Sequence, residues 1–273
     1  MTIERLAGVR YDVPLREGGS LPAVVATDRL GQYVVKFRGA GQGAKALIAE
    51  LLAAGLAVTL GLPVPQPAIV TLAADFGNAE PDPEIQDILR GSVGPNFGLA
   101  YLPGALPYDP AVETDIAPDL AAAIVWFDAF ITNVDRTVRN TNILVWREGV
   151  WLIDHGASLY FHHRADGWAE RAQVPFPQIG EHVLLPVAGD LAAADARLRP
   201  LLTEAAVRGV VDALPDEWLA PDDHRATPQA HRAAYASYLT ARLNGPRAWL
   251  QQALDAQRQG PAPLAPRLTH RVV

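Results

Sequence analysis

The sequence predicts an α+β fold in two lobes, a small antiparallel-sheet lobe over residues 1–102 and a mostly helical lobe over residues 103–273. Three observations carry that reading. Short runs of strand formers separated by turn residues fill residues 8–38. Helical patterns dominate from Asp190 onward. Between them, residues 132–156 read TNVDRTVRNTNILVWREGVWLIDHG, where two strand-like runs, 142–146 and 150–153, are joined through Arg147-Glu148-Gly149 as a hairpin.

Strands are expected at 9–15, 22–27 and 33–37. The first two flank Arg16-Glu17-Gly18-Gly19-Ser20, and Asp28-Arg29-Leu30-Gly31 turns the chain into the third. Gly18 and Gly19 have no Cβ to keep the backbone away from a phosphate, and Ser20 adds a hydroxyl. The motif is weak as a phosphate cover, because Gly-Gly-Ser is also an ordinary hairpin turn. Lys36 alternates with apolar neighbours in the third strand. It is either a snorkelling edge charge or a phosphate ligand, and the second role needs a carboxylate partner. A helix rich in Ala and Leu is expected at 43–60. Glu50 is its one acid and the natural partner of Lys36.

Gly39-Ala40-Gly41-Gln42-Gly43-Ala44 fits the dinucleotide pattern G-x-G-x-x-A. No Asp or Glu lies between Glu50 and Asp75 to hold a ribose, so these glycines read as a flexible connection. A strand follows at 68–74, then an acidic insertion at 75–94 with a short helix over 83–89. A further strand at 96–102 ends at Pro103-Gly104, where the chain crosses between lobes. Residues 119–131 form an apolar helix, with Asp128 placed either to brace the next loop or on a polar edge. His162-His163 reads as solvated or nucleotide-proximal, because no Cys or H-E-x-x-H pattern accompanies the pair. The Pro-rich stretch 260–266 reads as a loose tail.

The chemistry sits in the central hairpin. It returns the chain to its starting point and sets Asp154 near Asn140 and Asp135. Phosphoryl transfer needs an Asp that accepts the proton of the attacking hydroxyl. It also needs hard oxygen ligands for Mg²⁺, which an Asn and a second Asp supply. Protein kinases carry these groups in H-R-D-x-x-x-x-N and D-F-G. Here Asp135 and Asn140 keep the spacing, Asn133-Val134 stands where His-Arg would, and Asp154-His155-Gly156 follows the hairpin. Asp135, Asn140 and Asp154 are therefore the candidate catalytic residues, with Asn140 and Asp154 on the metal. Lys36, Glu50, Gly18, Gly19 and Ser20 are the candidate nucleotide-binding residues, and ATP and Mg²⁺ the expected cofactors. Asp75-Phe76-Gly77 also spells D-F-G, but it precedes the loop and lacks the hairpin.

Composition narrows the alternatives. The net charge of −7 argues against broad binding to nucleic acid or anionic membranes. The chain has no cysteine, which excludes disulfides, thiol catalysis and Cys-ligated zinc and fits a cytoplasmic location. MTIERLAGVRYDV lacks the apolar core of a signal peptide. The uncharged stretch 51–74 is broken by Gly61-Leu62-Pro63-Val64-Pro65-Gln66-Pro67 and cannot be one membrane-spanning helix.

With these residues in place, the sequence resembles the HipA-like kinases, most closely their short stand-alone bacterial branch. VVKF, AELLAAGLAVTLGLPVP, DAFITNVDRTVRNTNIL and WLIDHGASLYFHH carry the resemblance across residues 31–163, and LPDEWL at 214–219 adds a less specific match. The resemblance implies a protein-kinase-like fold and Mg-ATP-dependent transfer to the hydroxyl of a protein Ser or Thr. It implies Lys36 on the nucleotide phosphates with Glu50 as its partner, Asp135 as catalytic base, and Asn140 and Asp154 on magnesium. His155 stands where D-F-G has Phe and no Ala-Pro-Glu follows, which sets aside control by a eukaryotic-type activation loop. An antitoxin partner, as HipA has, is not indicated. Aminoglycoside and sugar phosphotransferases share the Asp-x4-Asn logic, so a small-molecule kinase stays open, as does a non-catalytic nucleotide-binding pseudokinase.

Overall fold

The first strand is longer than its apolar pattern shows. In the computed structural model, which describes residues 3–15, 21–29, 31–78, 80–112, 114–220 and 225–260, β1 runs Glu4–Pro14. Leu6 is its one fully buried side chain, so charged Glu4 and Arg5 hid the early half. That half pairs in parallel with β4, Pro67–Leu72, and the later half pairs antiparallel with β2, Ala23–Thr27. Register shifts between Gly8 and Arg10 and between Tyr11 and Val13 mark the bends that let one strand serve both neighbours. With β3, Gln32–Lys36, and β5, Gly94–Ala100, the strands close in the order β1-β2-β3-β5-β4. The expected purely antiparallel sheet is thus a closed sheet with one parallel pair, and closure leaves no unpaired edge. Leu6, Val25, Val35, Phe37, Val70 and Leu72 fill its interior, joined by Leu89 of α2, Pro83–Gly91. Asp82 caps α2 by accepting from the Glu84 amide.

A second core surrounds two helices that are apolar on nearly every side. These are α1, Gly43–Thr59, and α3, Pro118–Ile131. Helices without a polar face belong inside a protein: residues 46–57 of α1 and 121–131 of α3 are all buried. Trp126 and Phe130 of α3 pack against Trp249 of α8, Ala248–Gln259, with ring centroids 5.4 and 5.6 Å away. A small sheet of β6, Leu106–Pro107, β7, Ile143–Trp146, and β8, Gly149–Leu152, follows the expected hairpin. The Leu152 amide donates to the Pro63 carbonyl at 2.8 Å, which ties this sheet to the connection between α1 and β4.

The later chain carries α4, Trp168–Arg171, α5, Leu191–Leu198, α6, Glu204–Val211, and α7, Pro228–Asn244. The continuous helical pattern expected from Asp190 is broken between α5 and α6. Pro200 turns the chain through a 3-10 segment, and Thr203 restarts it by capping the Ala206 amide. Among the described residues, no helix is long and apolar enough to cross a membrane.

Candidate active site

Strand alternation positions the lysine. Tyr33 and Val35 point into the closed sheet, so Lys36 leaves β3 on the opposite face and meets α1. Its Nζ lies 2.5 Å from Glu50 Oε1 and 2.6 Å from Asp154 Oδ1, a juncture of three chain segments. Glu50 is wholly buried, and its Oε2 accepts from the His155 amide at 3.1 Å. Gly156 fits beside it, since a Cβ there would lie 3.3 Å from Glu50 Oε1. Burial disfavours charge on Lys36, but Glu50 and Asp154 outweigh it and hold the ammonium above its usual range. Burial raises Glu50 against the pull of Lys36, whereas for Asp154 Lys36 overcomes burial and lowers the carboxyl.

Asp154 sits in the left-handed region at φ 53°, and Thr132, Asn142 and Leu159 share that conformation nearby in sequence. For such residues it costs of order 1–3 kcal/mol each. The surrounding bonds maintain it: the Ile153 amide donates to Asn142 O at 3.1 Å, and the His155 amide to Glu50.

Asp135 and Asn140 meet directly. Asn140 Nδ2 donates to Asp135 Oδ2 at 2.9 Å. Asn142, which the sequence reading passed over, donates to the Asp135 carbonyl at 2.9 Å and to Oδ2 at 3.2 Å. Asn133 Oδ1 accepts the Asp135 amide at 3.1 Å. Three asparagines thus orient one aspartate. No direct bond joins Asp154 to Asp135 or Asn140 among the described residues; the two halves connect through the backbone of Asn142 and Ile153.

Asp128 lies in the core, not on a polar edge. Its Oδ2 accepts from Arg136 Nε at 2.5 Å and from His182 Nε2 at 2.8 Å, and its Oδ1 accepts from Asn133 at 3.0 Å. Burial alone would raise its pKa, but Arg136 and His182 hold it well below the usual carboxylate range. Arg136 also donates to the Asn142 carbonyl and, at 3.4 Å, to that of Ile153. The charged Arg136 next to Asp135 was a visible signal; nothing in the sequence marked His182.

Gly18, Gly19 and Ser20 lie outside the described residues, as does the stretch beyond Gly260. His162 is not solvated. It is buried, 3.1 Å from the Tyr235 hydroxyl, edge-on to the Tyr235 ring and tilted against that of Phe161. His163 beside it is exposed. Burial, with His163 and Lys45 adding to it, pushes the His162 pKa down to about 3; burial and Arg136 bring His155 to about 3. An unfolded histidine titrates near 6.5. Below that pH the unfolded chain takes up protons that the native state refuses until about 3. Stability should therefore be full above about pH 6.5 and fall on acidification by up to about 1.4 kcal/mol per pH unit for each such histidine. Urea titrations between pH 7 and 4 check this. His162→Phe should show a shallower decline, and an unchanged slope would contradict the assignment.

Among the described residues no group of three or more His, Cys, Asp or Glu is placed to hold a metal. The donor set at hand is smaller and suits Mg²⁺, which is commonly held by one or two protein oxygens and completes its shell with phosphate and water. The Asp154 side chain is 42% exposed, and Asn140, its amide nitrogen committed to Asp135, has its oxygen to offer.

A lysine–glutamate pair bridging a closed sheet and a buried helix, an Asp–Asn pair on a loop, and an acid after a hairpin are the kinds of group that phosphoryl transfer of the kinase type requires. The fold agrees. It is similar to the crystal structure of a Helicobacter pylori proinflammatory kinase, CtkA, with a TM-score of 0.58 and 12% identity over 94% of this chain and 99% of that one. The family model described as HipA-like kinase matches residues 14–252, and the chain belongs to that family. A search of curated proteins finds no match.

Proposed function

We propose that this kinase transfers the γ-phosphoryl group of ATP to a serine or threonine hydroxyl of a protein, with Mg²⁺ as the required metal. The observation that carries the reading is the meeting of Lys36, Glu50 and Asp154 within 2.6 Å, beside a loop on which Asn140 bonds Asp135. In this reading Lys36 binds the nucleotide phosphates, oriented by Glu50. Asn140 and Asp154 hold the metal, whose charge, when bound, neutralises the phosphate oxygens. Asp135 takes the acceptor's proton as the new O–P bond forms and the bond to ADP breaks. Residues 1–102 cover the nucleotide and 103–273 carry the loop and metal ligands. Family membership favours a protein acceptor over a small molecule.

Labelled ATP and Mg²⁺, offered with a cell lysate and separately with aminoglycosides and sugars, test this. Label on protein Ser or Thr is expected. Label on small molecules alone would move the protein to the metabolite kinases, and ATP binding without turnover would make it a pseudokinase.

ATP affinity should depend on metal, because Asn140 and Asp154 supply too few ligands to hold Mg²⁺ without phosphate. Calorimetry with Mg²⁺ and with EDTA should differ by on the order of tenfold or more, a gap that Asp154→Asn should narrow. Equal affinity under both conditions would refute the metal assignment.

A further inference from the structure

The buried trio below the catalytic loop has a geometry that stability alone does not require. Asp128 and Arg136 form a fully buried ion pair, and such pairs are often no more stabilising than well-packed apolar residues of the same volume. What distinguishes this one is where its spare donors go. The guanidinium bonds the carbonyls of Asn142 and Ile153. Asn142 is the residue whose side chain holds the Asp135 carboxylate, and Ile153 immediately precedes Asp154. One rigid fork therefore reaches both halves of the site, a geometry that lysine cannot copy.

His182 locks the fork from the other side. Its Nδ1 accepts the Leu184 amide at 3.0 Å, which places its proton on Nε2, where it donates to Asp128. The backbone repeats the connection: Val183 N donates to Arg136 O at 3.0 Å, and Thr137 bridges His182 in antiparallel fashion. The trio carries no surplus charge, since a neutral imidazole donates to an otherwise matched Asp–Arg pair.

We propose that Asp128, Arg136 and His182 are positioning residues for phosphoryl transfer, setting the separation of Asp135 from Asp154. The proposal rests on the kinase reading above. Asp128 and His182 touch neither nucleotide nor acceptor in it; they act through Arg136.

The test compares His182→Gln, whose amide can still donate to Asp128, with His182→Leu, which cannot. Each is measured for kcat, KM for ATP, the Mg²⁺ concentration giving half-maximal ATP binding, and Tm. The Leu variant is expected to lose about tenfold or more in kcat and to need several-fold more Mg²⁺, with KM for ATP within about threefold. The Gln variant should recover most of both losses. Arg136→Lys should show the same pattern more strongly if it folds; the histidine pair decides the matter if it does not. A Leu variant with lowered Tm but wild-type kcat and Mg²⁺ requirement would overturn the proposal, leaving the trio a purely structural device. Equal losses in Gln and Leu would overturn it too. Absence of turnover in the wild-type protein would instead remove the kinase reading, and this inference with it.

Discussion

Asp135→Asn should lower phosphoryl transfer by about 10²- to 10⁴-fold, the range a positioned general base contributes, while nucleotide affinity changes by less than about threefold. The carboxylate receives Asn140 Nδ2 at 2.9 Å and Asn142 Nδ2 at 3.2 Å. An asparagine oxygen can accept both bonds, so the loop keeps its shape. The substituted amide has no lone pair basic enough to take the acceptor's proton. Nucleotide binding survives because Lys36 donates to both Glu50 and Asp154, and none of the three bonds Asp135 among the described residues. Initial rates with saturating ATP, set beside calorimetric ATP affinity, separate the two quantities. A variant that kept most of its turnover would place the base elsewhere or show that the acceptor needs none.

The largest effect on stability should come from Arg242→Met. Arg242 is fully buried in α7, and its guanidinium donates to four carbonyls: Phe130 at 2.7 Å, Ala129 at 2.9 Å, Val174 at 3.2 Å and Ala172 at 3.3 Å. Two of these belong to the last turn of α3, whose carbonyls have no partner in their own helix. A cation at that end also opposes the helix dipole favourably. Burial lowers the Arg242 pKa only to about 10, so the charge persists at neutral pH. Met fills similar volume and leaves the carbonyls buried without donors, a loss of about 3–5 kcal/mol or roughly 10 °C in Tm. Lys restores the charge but reaches fewer oxygens, and should recover about half. Because α3 ends at Ile131, directly before the catalytic loop, activity should fall with stability in the Met variant. Chemical denaturation measures the first quantity. A Met variant within about 1 kcal/mol of wild type would show that the carbonyls find other partners.

Much of the candidate site was legible because it is built from local patterns. Glu50 stood out as a lone acid in α1, where every other position from 46 to 57 is uncharged and buried, and a buried carboxylate demands a cation. The hairpin of β7 and β8 appeared where alternation and a Gly-containing turn placed it. The glycine-rich stretch Gly39 to Ala44, which reads as a connection, forms the turn into α1, with Gly43 at φ 64°. His162 misled because a histidine pair looks the same whether its ring is wet or packed against Tyr235, 73 positions away.

By itself, then, the sequence determined the local elements and the identity of the chemically capable side chains. Period and turn chemistry act over a few residues, and an acid in an apolar helix declares its need wherever the helix goes. Only the tertiary structure decided which of those needs are met by which partner. Lys36 shares its ammonium between Glu50 and Asp154, 14 and 118 positions along the chain. β1 splits its edges between an antiparallel and a parallel neighbour. Asp128 draws His182 from 54 positions on, through a bond whose length no local pattern encodes. Such pairings depend on how α1, α3 and the closed sheet pack, and the free energy that selects them comes from burying the surfaces between elements rather than from any one segment.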